Sequence, residues 1–193
     1  VRQAIVDKDS MVSSSALVSG HHLLNDNTDI VRRWANDIQS AINDPDSSSM
    51  VQYHALTLLY RIRQQDRLAV SKLVSKLSSG RALHSPLAVC MLIRYTSRIM
   101  KEDISAKESQ EAYRFLSSCL KERDEIVLFE AARAICNLPG ATSDDVKPAI
   151  SSLGMFLTSP KAVYRFSAVR TLSQVAAKHP MSVTQCNEDM EAM

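Results

Sequence analysis

The chain has 193 residues, with 23 Lys and Arg against 21 Asp and Glu, so its net charge of +2 excludes the global basic drive of a nucleic-acid-coating domain. Hydrophobic residues make up 45%, enough for a packed core, while 5% aromatics and four glycines argue against an all-β fold that needs glycine turns and aromatic strand pairs. The longest apolar run, LAVCMLI at 87–93, is far short of the roughly 20 residues of a membrane-spanning helix.

The chain opens on VRQAIVDKD, with neither an initiator Met nor a signal pattern, and Ala4, Ile5 and Val6 read as the end of a helix already under way; a fragment is expected. A first helix follows Asp9-Ser10 and carries Val12; a second covers 28–42. The next pair begins after Ser47–Ser49 at Val51, its second helix covering 66–78, where Leu73, Val74 and Leu77 share one face and Lys72 and Lys76 another. Ser85-Pro86 starts the helix of Val89, followed by one over 105–121; Asp124 starts the helix of Val127, followed by one over 143–157. Ser159-Pro160 starts the helix of Val163, and His179-Pro180 ends it before an acidic tail that opens a further repeat. These starts supply cap oxygens or a proline suited to the first helical turn, and Thr142 with Asp145 fits a capping box. The connectors INDPDSSS and NLPGATSDD carry the residues that stop helices and read as turns inside a domain.

The five valines are 39, 38, 38 and 36 residues apart, the HEAT/armadillo period. Four positions after each stands Ala16, Ala55, Ile93, Ala131 or Ser167; five after stands Leu17, Leu56, Arg94, Ala132 or Ala168. The expected fold is all-α, a HEAT/armadillo-like α-α superhelical solenoid. Residues 1–193 form one helical-repeat domain of about five antiparallel pairs, because a single pair cannot bury its apolar face alone.

Chemistry is sparse. Glycines at 20, 80, 140 and 154 permit neither G-x-G-x-x-G nor a P-loop. His21-His22 lacks a Cys, Asp or Glu at ligand spacing, and reads as a pair of helix-end histidines and not a metal site. Cys90, Cys119, Cys136 and Cys186 form no C-x-x-C pair and read as reduced core thiols; pairing Cys90 or Cys136 with His54 is disfavoured because both cysteines lie in apolar helical runs. Asp144 and Asp145 complement a helix start. No catalytic, cofactor-binding or metal-ligating residue is expected, and no cofactor.

One patch rises above this background. Residues 61–101 carry Arg61, Arg63, Arg67, Lys72, Lys76, Arg81, Arg94, Arg98 and Lys101 against one acid, Asp66. Arg94, Arg98 and Lys101 form a stripe opposite Val89, Leu92, Thr96 and Ile99. An acidic partner or anionic membrane would fit it, but a solvated face balanced by the acid-rich stretch 102–130 is the simpler reading. Nucleic acid is not expected, since Tyr53, Tyr60 and Tyr95 fall at core-like positions, and Trp34 reads as packed between helices.

Taken in order, VSSSALVSGHHLL (12–24), VQYHALTLLYRIR (51–63), DRLAVSKLVSK (66–76), SPLAVCMLIR (85–94), EAARAICNLPG (130–140) and SPKAVYRFSAVRTLSQVAAKHP (159–180) resemble the coatomer gamma subunit family. INDPDSSS, KEDISAKESQEA (101–112) and the final residues depart from its pattern. The resemblance implies a non-catalytic cytoplasmic scaffold of the COPI coat, peripheral on Golgi membrane and COPI vesicles. Its implied partners are a small zeta-type subunit, a beta-type large subunit and a GTP-bound Arf-family GTPase, whose docking site is expected to lie mainly on repeats before Val1. A clathrin-adaptor large subunit and an unrelated HEAT-repeat scaffold are the alternatives; an enzyme would require an appended domain.

Overall fold

A computed structural model describes residues 1–79, 83–101 and 106–192, and their regular structure is helical. The chain divides into two compact units, Val1–Tyr95 and Thr96–Met193. The first holds a 3₁₀ turn (Arg2–Val6), α1 (Ser10–Asp26), α2 (Thr28–Arg32), α3 (Ala35–Asn43), α4 (Ser49–Arg63), α5 (Arg67–Ser79) and most of α6 (Pro86–Ile99). The second holds the end of α6, α7 (Ala106–Cys119), α8 (Glu125–Cys136), α9 (Ser143–Met155), α10 (Ala162–Ala176), α11 (Pro180–Val183) and α12 (Asn187–Glu191). In the first unit α4 packs on both α1 and α3; in the second α8 packs on α7 and α9, and α10 on α9 and α11. Helix pairs joined by short turns and sharing a core are the HEAT/armadillo-like arrangement the period predicts.

Local chemistry places the starts. Asp9 accepts from the N–H groups of Met11 and Val12, Ser48 from Val51, and Asp124 from Ile126 and Val127. Thr142 and Asp145 form a reciprocal capping box. Ser85 Oγ accepts from Ala88 N at 3.4 Å, with Pro86 as the first helical residue. Pro160 differs from expectation: α10 begins at Ala162 behind Lys161, which makes no side-chain cap bond. Pro180 opens α11. Replacing Asp124 by Ala removes an acceptor from two N–H groups and is expected to cost about 1 kcal/mol in urea unfolding, with the m-value unchanged.

The helix expected over 28–42 is broken at Arg33-Trp34, where Trp34 N donates to Val31 O at 2.9 Å in an i to i+3 turn and the indole is buried. The valine register also needs correction. Val51 and Val127 are buried, but Val12 and Val163 are 43% and 73% exposed. Leu17, Leu56, Ala132 and Ala168 are inaccessible to solvent, whereas Arg94 at the same offset is exposed. In α6 the buried residues include Ala88, Leu92, Ile93 and Thr96, one position off. Val89 is the fourth residue of α6, while Val51 and Val127 are third in α4 and α8. One residue rotates a helix by about 100°, enough to move a position off the core.

Candidate interaction surfaces

Leu73, Val74 and Leu77 of α5 are buried while Lys72 and Lys76 project to solvent. On α6 Arg94 and Arg98 are exposed, opposite buried Leu92, Thr96 and Ile99 and half-buried Val89; Lys101, the third member of the expected stripe, is exposed in the turn after the helix ends at Ile99. The stripe is therefore a surface feature fixed by helical periodicity. Arg94 Nη1 lies 3.8 Å from Met91 Sδ. Arg63 is half-buried. Arg81 and the Arg67 side chain lie outside the described residues, as do Glu102 and Asp103, the nearest acids expected to balance the ridge.

Arg61 does not belong to an open ridge. It reaches from α4 to α1, where Nη2 donates to Asn25 Oδ1 at 3.0 Å and Nη1 lies 3.5 Å from His21 Nδ1. His21 is half-buried, and desolvation, then the Arg61 guanidinium, then His54 and His22 push its pKa down from 6.5 to about 4. Burial also lowers His54, whose ring meets Tyr53 edge-on at 5.2 Å. These histidines belong to an α1–α4 contact that favours the neutral imidazole.

This contact has a stability consequence. The unfolded His21 binds a proton near 6.5 and the folded one near 4, so stability is full above pH 6.5 and declines as pH falls from there toward about 4. Because the ring is partly solvated, screening reduces the loss to about 1–2 kcal/mol. Urea midpoints measured at pH 7.5, 6 and 5 are expected to fall for the native chain and to fall less for His21→Gln. Parallel slopes in the two proteins would contradict this.

Tyr60 and Tyr95 stack with centroids 3.6 Å apart and planes at 4°, both buried, so neither is displayed to a nucleic-acid base. Burial holds the Tyr95 phenol above its ordinary range. All four cysteines are buried, and desolvation pushes Cys136 up to about 12, the opposite of an activated thiolate. Among the described residues no group of three His, Cys, Asp or Glu is arranged to hold a metal, and no helix is long and apolar enough to cross a membrane.

In the second unit a groove of about 730 Å³ lies beside α7 and the α8–α9 connector, lined by Met100, Tyr113, Leu138, Pro139 and Gly140. Two of its polar side chains hold structure: Tyr113 Oη donates to Asp145 O at 3.0 Å, and Asp145 Oδ2 accepts from Thr142 Oγ1 at 2.6 Å and Thr142 N at 2.9 Å. Those two Thr142 bonds, side chain first, hold the Asp145 carboxyl below its ordinary pKa, as the helix-start reading requires. Asp144 pairs with Lys147 at 2.7 Å.

Two polar residues escaped the sequence reading. Gln52 is inaccessible to solvent; its Nε2 donates to Ile42 O at 3.2 Å, and its Oε1 accepts from His84 N and Ser85 N, both at 3.1 Å. Glu130 is buried on α8 and receives Arg133 Nη2 at 2.6 Å and Nε at 3.2 Å. Its i, i+3 spacing to Arg133 was the available signal.

Comparison with known proteins follows the same lines. The adaptin N-terminal region family model matches residues 1–193. Coatomer subunit gamma of Arabidopsis thaliana is 54% identical over all of this chain, and that of Drosophila melanogaster 50%. Coatomer subunit gamma-1 of Homo sapiens is 50% identical over 99% of it. The chain spans only about a fifth of these relatives, 21–22% of their length. An engineered protein of known structure aligns with a TM-score of 0.53 at 17% identity, covering 99% of this chain and 86% of its own, a likeness of fold alone. With every residue matched by the family model, the chain belongs to the adaptin N-terminal region family, and its relatives there are coatomer gamma subunits.

Proposed function

We propose that the chain is a run of helical repeats from the trunk of a COPI coat subunit, a non-catalytic scaffold in Golgi-associated vesicle transport. The observation that carries this reading is 54% identity to a coatomer gamma subunit across the whole chain. On this reading residues 1–193 are one repeat domain of about five helix pairs. It binds a small zeta-type subunit and a beta-type large subunit, meets Golgi membrane only peripherally, and takes part in docking a GTP-loaded Arf-family GTPase.

Such a scaffold needs no chemistry of its own to sense nucleotide. The GTPase switch segments are ordered only while the γ-phosphate holds them, so a preformed helical surface distinguishes the two states by differential contact. Engaged acids and buried thiols suit that passive role. Calorimetric titration of the chain with an Arf-family GTPase, loaded with a non-hydrolysable GTP analogue or with GDP, tests the nucleotide-dependent part. Binding confined to the GTP form is expected. Equal binding to both forms, or to neither, removes GTPase docking from these residues; failure to capture a zeta-type subunit as well would sink the coat assignment.

A further inference from the structure

We propose that Ser159 is an acceptor for proline-directed protein kinases, and that Lys161 and Arg165 take up the phosphate once it is attached. The chain holds two Ser-Pro dipeptides, Ser85-Pro86 and Ser159-Pro160, which differ in exposure although each Oγ accepts a backbone N–H, that of Ser159 from Lys161 N at 3.3 Å. Ser85 is inaccessible to solvent; its Oγ accepts from Ala88 N at 3.4 Å and its N–H donates to Gln52 Oε1 at 3.1 Å. No kinase reaches that hydroxyl without unfolding α6. Ser159 lies in the connector between Met155 and Ala162, partly exposed itself and flanked by exposed Thr158, Pro160, Lys161, Ala162 and Val163. Residues 159–161 are outside any helix, with Lys161 extended at φ −83° and ψ 110°. The following proline biases Ser159 toward extended backbone too, the form a kinase cleft takes.

The surroundings favour the product. Arg165 Nη1 already donates to Ser159 O at 2.8 Å and Pro160 O at 3.2 Å. Lys161 Nζ pairs with Glu125 Oε2 at 2.6 Å and lies 4.9 Å from the Tyr164 ring centroid, in an exposed bridge from the start of α10 to the start of α8. In the transfer Ser159 Oγ attacks the γ-phosphorus of ATP, the bond to the leaving ADP breaks, and the hydroxyl proton passes to the base of the kinase. The product carries about −1.5 to −2 charge at neutral pH beside two cations. It competes with Glu125 for Lys161, so modification exchanges the α8–α10 bridge for a contact local to the connector.

The test is incubation of the folded full chain with a purified proline-directed kinase and MgATP, followed by peptide mapping. One phosphate on Ser159 is expected, lost in Ser159→Ala, with Ser85 labelled only after heat unfolding. An unmodified Ser159 in the folded chain, or labelling there only after unfolding, overturns the assignment. A phosphorus NMR titration tests the two cations: the second ionisation of the phosphate is expected at lower pH in the native chain than in a Lys161→Gln, Arg165→Gln variant. Identical titrations would remove Lys161 and Arg165 from the proposal.

Discussion

Replacing Gln52 by Leu is expected to destabilise the chain by about 3 kcal/mol, read as a lower urea midpoint with an unchanged m-value. Leucine fills nearly the same volume, so the loss is not one of packing. The amide joins three segments: Nε2 donates to Ile42 O near the end of α3, and Oε1 accepts from His84 N and Ser85 N ahead of α6. The Gln52 side chain, Ile42 and Ser85 are all inaccessible to solvent, so water cannot replace the bonds to Ile42 O and Ser85 N. Each buried group left unpaired costs about 1–3 kcal/mol.

Gln52→Glu separates the two halves of this role. At neutral pH the carboxylate keeps the acceptor, loses the donor to Ile42 O and buries a charge, which raises its folded pKa above the ordinary value near 4.3. The protonated acid both donates and accepts. The stability it regains is therefore fully present below the unfolded pKa and lost as pH rises through the raised folded one. Measured as a difference from the native chain at each pH, the variant should recover as the solution is acidified, against the trend His21 imposes. A pH-independent difference would mean that Gln52 acts by shape alone.

The contrast between Gln52 and Asp124 explains what the sequence made legible. Asp124 bonds N–H groups two and three residues ahead, so the cap follows from helix geometry and can be read locally. Gln52 bonds groups 10, 32 and 33 residues away, and no local pattern distinguishes it from a polar residue facing water. The α6 register failed for a related reason. The repeat period locates the helix, but its rotation depends on which residue opens the first turn, and Pro86 opens it one residue earlier relative to Val89. The Arg94 and Arg98 part of the stripe survived because spacing within one helix fixes a shared face wherever that face points, whereas Lys101 falls beyond the end of α6 at Ile99. Arg61 left the ridge because its partner Asn25 is 36 residues away.

The second large effect lies at Gly20, where α1 and α4 approach too closely for a large side chain. A Cβ built there meets Leu58 Cδ2 at 2.8 Å and Trp34 Cζ3 at 3.4 Å. Leu58 is inaccessible to solvent and Trp34 is 6% exposed, so neither has free space to retreat into. Gly20→Ala gains about 1 kcal/mol of helix propensity, offset by displacing one leucine methyl, and is expected to change stability by less than about 1 kcal/mol in either direction. Gly20→Leu adds three further carbons to the same space and is expected to cost about 3 kcal/mol. The break at Arg33-Trp34 is part of the same device, since the turn delivers the indole to the glycine surface. If close packing is the cause, Trp34→Ala, itself expected to cost about 3–5 kcal/mol, should make Gly20→Leu less harmful than in the native chain. Additive losses in the double variant would show that Gly20 and Trp34 do not share a contact that matters, and that the glycine is retained for another reason.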